Sequence, residues 1–214
     1  MIVTIDGPAG AGKSSAAKVL ARRLGFDYLD TGAMYRVVTL AALRAGADLR
    51  DQEALARVLD AMRLEMPPGR VLLDGEDVSE RIRTAEVTAA SGAVADSPVV
   101  RRRLVAMQQA QARGRSLVSE GRDQGTVVFP DAACKFFLSA ALEERARRRG
   151  AELAARAEAV APDVLVAQID ARDRRDAARD LAPMRPAADA VILDSTGLTL
   201  EQVVDRMEAE VRRR

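Results

Sequence analysis

Apolar residues alternate with polar ones around Ile2, Val3 and Ile5, then change to a three-to-four-residue spacing at Ala16, Ala17, Val19, Leu20 and Leu24. The first period is that of a strand and the second that of a helix. The change recurs along the chain. Runs near 2–6, 26–30, 116–120, 135–140 and 190–194 predict strands separated by helical stretches, the alternation expected of a parallel sheet flanked by helices. A further helix is predicted from Thr31 to about Gly46. Leu64-Glu65-Met66, the turn Pro67-Pro68-Gly69, and Arg70-Val71-Leu72-Leu73-Asp74-Gly75 break the alternation and predict an inserted antiparallel strand pair. No internal repeat is evident.

With 214 residues, the chain has the length of one domain carrying an insertion rather than of two independent domains. It is 48% apolar, carries a net charge of +1 and has no low-complexity block, so a packed core is expected throughout. This balance gives no general electrostatic pull toward nucleic acid or an anionic membrane, and neither is expected as a partner. The opening residues lack the features of a secretion signal, and no later apolar run approaches membrane-spanning length, so a cytoplasmic location is expected. Cys134 is the only cysteine, which excludes an internal disulfide and a multi-cysteine metal site; it reads as core. Histidine is absent, which excludes a Ser/His/Asp triad, a His-ligated zinc and a histidine general base. Asparagine is absent too, so the Asn-Lys-x-Asp guanine-reading element of GTPases cannot exist here.

Residues 7–14 read Gly7-Pro8-Ala9-Gly10-Ala11-Gly12-Lys13-Ser14 and satisfy G-x-x-x-x-G-K-[ST] at every fixed position, between a predicted strand and a predicted helix. Glycines let the backbone wrap closely enough for its N–H groups to face phosphate oxygens, and the new helix adds its positive end. Lys13 brings a full charge to the β- and γ-phosphates, and the Ser14 hydroxyl is the expected protein ligand to Mg²⁺. Ser15 is counted with residues 7–14 as ATP-binding. Asp194-Ser195-Thr196-Gly197 matches the D-x-x-G of GTPase switches only near the C-terminus, out of order for a switch, and reads as a strand end and turn.

The second strand–helix junction, Asp30-Thr31-Gly32-Ala33-Met34-Tyr35-Arg36, resembles that of the bacterial cytidylate kinase family, whose usual form has serine at the position of Thr31. Two more segments carry the resemblance: Glu120-Gly121-Arg122-Asp123-Gln124-Gly125 running on to Pro130, and Arg172-Asp173-Arg174-Arg175-Asp176-Ala177-Ala178-Arg179. The likeness extends from residue 2 to about residue 205. It implies a three-layer P-loop NTPase fold of the adenylate-kinase kind, with a parallel sheet flanked by helices. It also implies a nucleoside-monophosphate-binding part that contains the small antiparallel sheet, and a helical lid. The expected division is a core of residues 1–30, 96–145 and 170–214, a monophosphate-binding part at 31–95 and a lid at 146–169.

The resemblance implies transfer of the ATP γ-phosphoryl group to CMP or dCMP, with Mg²⁺ as cofactor, by a monomer. An acceptor that is already an anion needs no general base, so the missing histidine is no obstacle. Arg36, Arg122 and Arg179 are then expected on the acceptor phosphate, where a planar guanidinium pairs bidentately with two oxygens. Lys13, Arg122 and Arg179 are the expected catalytic set. Arg101 and Asp123 match the family's cytosine-reading positions, opposite the base's acceptors and its amino group. Arg172 and Asp176 match positions on the sugar. By spacing, Arg172, Asp176 and Arg179 fall at i, i+4 and i+7, on one helical face, which without the family reads as a solvated, salt-bridged surface rather than a site. Arg145 and Arg148, in the basic stretch 143–149, are candidates for ATP-phosphate contacts, and the same letters describe a plain basic helix. Thr31 is counted with the CMP site. Six residues before Pro98, where the family usually has serine, stands Gly92, with Ser91 one place earlier, so the balance between CMP and dCMP is open. Glu120 replaces the family's aspartate. Competing readings are a related kinase acting on UMP, AMP or shikimate, and a regulatory module that holds ATP without transferring it.

Overall fold

A computed structural model describes residues 1–155 and 159–214. The chain divides into two compact units, one formed by Met1–Leu29 with Ala112–Arg214 and the other by Asp30–Gln111.

The first unit is built on a five-stranded sheet. Its strands are β1 (Ile2–Asp6), β2 (Asp27–Asp30), β6 (Leu117–Glu120), β7 (Cys134–Ser139) and β8 (Val191–Asp194), in the order β2-β6-β1-β7-β8. β1 pairs in parallel with β6 on one side and with β7 on the other, with Val3 opposite both Val118 and Cys134, and β7 pairs in parallel with β8. All five predicted strands are therefore present, shifted by a residue at most at either end. Because β1 is central, Val3, Thr4, Ile5 and Asp6 are all buried, and the charged Asp6 needs partners inside, while Thr4 Oγ1 has no hydrogen-bond partner among the described residues.

Helices α1 (Lys13–Leu24) and α8 (Leu200–Val211) pack against this sheet. Leu20, Val204 and Met207 meet Val3, Ile5, Phe136 and Leu138 in one core, where each fully buried large side chain is worth roughly 1.5–3 kcal/mol. Cys134 lies in that core, as read from the sequence. The helix ends reveal a division of labour. α8 begins with a full capping box: the Thr199 side chain accepts from the Gln202 N–H while the Gln202 side chain accepts from the Thr199 N–H. α1 begins at Gly12, which has no side chain to offer, so the first-turn amides are left for a ligand.

Helices α6 (Leu142–Ala154) and α7 (Pro162–Ala177) pack through Ala146, Leu153, Leu165 and Ile169, with Ala9 of the glycine-rich loop against the same cluster. Part of the expected lid, residues 156–158, lies outside the described residues. α7 stops at Ala177, so Arg179 is not on the helical face predicted for it. The chain turns at Ala178, and the Met184 N–H donates back to the Asp176 carbonyl.

The second unit holds α2 (Thr31–Arg44), α3 (Gln52–Ala61), α4 (Ala85–Asp96) and most of α5 (Pro98–Ala112). Asp30, Asp51 and Thr84 cap the first three of these. Its small antiparallel sheet has three strands rather than two: β3 (Leu64–Glu65), β4 (Leu72–Leu73) and β5 (Glu76–Asp77). The predicted strand 70–75 ends at Leu73 because Asp74 and Gly75 both take positive φ, 53° and 84°, and make a two-residue hairpin turn into β5. Ala33, Val37, Leu40, Leu73, Val78, Ile82 and Val87 form this unit's core. No helix among the described residues is long and apolar enough to cross a membrane.

Candidate active site

The glycine-rich loop leaves the C-terminal end of β1, where the strand order places β6 on one side and β7 on the other, the position at which open α/β sheets bind ligands. Gly7 has φ 141°, and a Cβ there would stand 2.0 Å from the Leu138 carbonyl oxygen, so only glycine allows β1 to turn into the loop so close to β7. The Lys13 side chain curls back over the loop and donates to the Pro8 carbonyl at 2.7 Å. Burial pushes its ammonium pKa down to about 7, the positive charge of Arg122 pushes the same way and Arg172 adds to it, while Glu120 and Asp6 oppose them. A buried lysine beside arginines is poised to gain from a bound polyanion. Ser14 donates to Glu120 Oε1 at 2.6 Å, and the Tyr28 hydroxyl reaches the same oxygen at 3.2 Å.

Past the loop, side chains from α6 and α7 hold Ala9 from two sides. The Ala9 N–H donates to Asp173 Oδ1 at 3.0 Å, the Ala9 carbonyl accepts from Arg145 at 3.0 Å, and Arg145 and Asp173 form a close ion pair. Arg148 donates to the Ala11 carbonyl at 3.4 Å and to Ser195 Oγ at 3.0 Å, and pairs with Glu144. Both arginines read from the basic stretch therefore touch carbonyls of the glycine-rich loop.

Asp176 gathers the other arginines of this unit's site. Its carboxylate, 2% exposed, meets Arg122 Nε at 2.9 Å, Arg179 Nη2 at 2.8 Å and Arg172 Nε at 3.9 Å. Burial by itself would raise the Asp176 pKa, but Arg122, Arg179 and Arg172 together hold it below the usual carboxylate value. Arg122 belongs to the segment after β6, which folds into a π-helical turn, Gln124–Val128. Asp123, buried, precedes that turn, and its carbonyl accepts from the N–H groups of Val127 and Val128 at 2.9 and 3.2 Å. The turn is fastened to β1 by Asp6, whose two carboxylate oxygens accept from the Gln124 and Gly125 N–H groups, each at 2.8 Å. Burial raises the Asp6 pKa to about 6, and the two amides pull against that rise.

In the second unit, Thr31 is buried in the first turn of α2, beside Asp30, which accepts from the Ala33 N–H at 2.9 Å and pairs with Arg83 at 3.4 Å. Arg36, one turn on, donates to the Ile82 carbonyl at 3.0 Å and to Thr88 Oγ1 at 2.7 Å. Ser91 donates to the Thr88 carbonyl at 2.9 Å, and buried Gly92 follows it on α4. Arg101, buried on α5, lies 5.9 Å over the Tyr35 ring and donates to the Ala95 carbonyl at 3.4 Å. Within this unit Arg36, Thr88 and Ser91 are thus one connected set.

Sequence reasoning assigns no role to Asp6, Asp173 or Thr88. A signal exists for the first: a carboxylate closing an otherwise buried strand needs a partner. Asp173 sits inside the 172–179 motif, where its charged neighbours carry the resemblance.

The family model for cytidylate kinase matches residues 3–213. A cytidylate kinase of Pelotomaculum thermopropionicum is 50% identical over 214 residues, covering 98% of this chain and 95% of that protein. A cytidylate kinase of Mycolicibacterium paratuberculosis is 50% identical over 219 residues, covering 100% of this chain and 96% of that protein. Among solved structures, a gluconokinase from Sinorhizobium meliloti shares the fold with a TM-score of 0.51 at 15% identity, covering 99% of this chain and 91% of that one. With its phosphate loop at the end of a central parallel strand and its likeness running nearly end to end, this chain belongs to the cytidylate kinase family.

Proposed function

We propose that the chain transfers the γ-phosphoryl group of ATP to CMP or dCMP, giving ADP and CDP or dCDP. The observation that carries this reading is the meeting, within one unit, of Lys13 with a guanidinium cluster. Arg122 and Arg172 are close enough to depress the lysine pKa, and both face Asp176 together with Arg179. Three arginines around one carboxylate, beside a phosphate loop, suit a site that takes two polyanions.

In the reaction, an oxygen of the acceptor phosphate attacks the γ-phosphorus of ATP. The new P–O bond forms as the bond to the β–γ bridging oxygen breaks, and ADP leaves with that electron pair. Lys13 and the loop of residues 7–14, with Ser15 beside it, hold the donor phosphates, and Arg145 and Arg148 face them from α6. Arg36, Arg122 and Arg179 hold the acceptor phosphate, and an arginine acting on the transferring group contributes about 10³ to 10⁵ in rate. Asp123 and Arg101 read cytosine. Arg172 and Asp176 take the sugar, with Thr31 and the Ser91–Gly92 pair completing the CMP site. Ser91 donates to the Thr88 carbonyl and keeps its oxygen lone pairs as acceptors for a sugar hydroxyl.

Ser14 Oγ and the Glu120 carboxylate, 2.6 Å apart, are hard oxygen donors of the kind Mg²⁺ takes. Held there by Ser14 and Glu120, the cation would supply neutralisation of the negative charge on the donor phosphates. The division into a core (1–30, 96–145, 170–214), a monophosphate-binding part (31–95) and a lid (146–169) belongs to the same reading. So does a cytoplasmic monomer without a nucleic-acid or membrane partner, in keeping with a net charge of +1. The test is ADP release from ATP with CMP, dCMP, UMP, AMP or shikimate as acceptor. CMP or dCMP is expected to give the highest kcat/KM; equal or better turnover of AMP or shikimate rejects cytosine selectivity, and ATP binding without turnover of any acceptor supports a regulatory module instead.

A further inference from the structure

Asp6 ends β1, and the next residue, Gly7, opens the phosphate loop. Its side chain turns the other way, toward the segment that carries Arg122 and Asp123. Both carboxylate oxygens are used there, one accepting from the Gln124 N–H and the other from the Gly125 N–H, each at 2.8 Å and buried. That the second of these residues is glycine matters: a Cβ on Gly125 would stand 2.9 Å from Thr4 Oγ1 and 3.2 Å from Lys135 Cδ. Ser119 adds a third tie, donating to Gln124 Oε1 at 2.8 Å. The turn is therefore pressed onto the sheet with no space for a methyl group, and its first two amides are held by one side chain from the phosphate-loop strand.

We propose that Asp6 is a positioning residue that fixes the acceptor-binding segment, Arg122 and Asp123, in register with the phosphate loop. The proposal rests on the reading of those two residues as CMP contacts. One residue serves both loops: its backbone leads into the donor loop and its carboxylate anchors the acceptor segment. Displacing reacting groups by about 1 Å can cost on the order of 100-fold in rate, so such an anchor acts on kcat and on acceptor choice without touching substrate. Asparagine at this position offers one acceptor oxygen where two are used, and sets its own N–H groups against the second amide.

The experiment compares wild type, Asp6→Asn, Gly125→Ala and the double variant Thr4→Ala/Gly125→Ala, each confirmed folded by circular dichroism. Asp6→Asn is expected to lower kcat with CMP by about 100-fold and to narrow the CMP-to-UMP preference, while the Kd for a non-hydrolysable ATP analogue, measured without CMP, stays within about threefold. A merely structural role would lower turnover of both acceptors together and leave their ratio alone. Gly125→Ala should show the same change by lifting the turn from the other side, and removing the nearest obstruction in Thr4→Ala/Gly125→Ala should restore most of the loss. Hydrogen exchange at the Gln124 and Gly125 amides, which needs no substrate, should be slow in wild type and faster in Asp6→Asn. Wild type that fails to phosphorylate CMP would defeat the functional reading alone, with the exchange result still deciding the anchor. A folded Asp6→Asn enzyme with unchanged amide protection, or with CMP constants and acceptor ratio within about threefold of wild type, overturns the proposal. If Asp6→Asn does not fold, a Gly125→Ala enzyme with wild-type kinetics overturns it equally.

Discussion

Replacing Asp176 by asparagine changes one oxygen for an NH₂ and keeps the shape, so it isolates the charge that Arg122, Arg179 and Arg172 share. The carboxylate is 2% exposed, and the side chains of Arg122 and Arg179 are 17% and 9% exposed. Neither the anion nor its two nearest partners can fall back fully on water. Removing one member of a buried pair costs about 3–5 kcal/mol; the amide still accepts one hydrogen bond, which places Asp176→Asn near the low end, at about 3 kcal/mol. For a chain of this size that is a fall in Tm of roughly 6–12 °C. The folded pKa of Asp176 lies below its ordinary value of 3.8, so its stabilisation is present above that value and is lost only as pH falls through the folded pKa. The gap between wild type and variant should therefore be the same at pH 6 and pH 9. Added inorganic phosphate should narrow it, because it supplies the anion that the arginines have lost without calling on Asp176 for a sugar contact. Differential scanning calorimetry with and without inorganic phosphate reads all three effects. A Tm within about 2 °C of wild type, or a gap that inorganic phosphate does not narrow, refutes the idea that these arginines need an anion that a phosphate can provide.

Two further outcomes follow from other parts of the structure. With its pKa lowered to about 7, Lys13 is largely neutral at pH 8 in the free protein, and polyphosphate binding favours its charged form; ATP binding at pH 8 should take up a proton and weaken as pH rises. Calorimetric titrations in buffers of different ionisation enthalpy measure that uptake, and it should vanish in Lys13→Met. Thr199→Ala removes the capping box of α8, among residues to which no substrate contact is assigned, and should cost about 1 kcal/mol in thermal unfolding with kcat and KM unchanged.

The parts of this molecule legible in its sequence are those whose chemistry is local. Gly7, Gly12 and Lys13 must stand at fixed spacing for the loop to exist, and the alternation of Ile2, Val3 and Ile5 needs only neighbouring residues to be recognised as a strand. The unpredicted parts depend on distant partners or on backbone geometry. Asp6 meets amides 118 and 119 positions away, and Asp173 meets the Ala9 N–H 164 positions away. No local pattern announces either contact. The strand β5 is hidden for the opposite reason: its two residues, Glu76 and Asp77, are exposed and charged, and only the Asp74–Gly75 turn signals a hairpin. Arg179 shows the limit of periodicity. Helical spacing puts it on a face with Arg172 and Asp176; α7 ends before it, yet an ion pair at 2.8 Å brings it to the same carboxylate.

In this enzyme the terminal phosphoryl group of ATP is expected to end on a cytidine monophosphate. Incubation with γ-labelled ATP, CMP and Mg²⁺, followed by separation of the nucleotides, follows that group directly. Label should appear in CDP in step with unlabelled ADP; label recovered only as inorganic phosphate, or retained in ATP while the protein is saturated with both nucleotides, contradicts phosphoryl transfer to CMP.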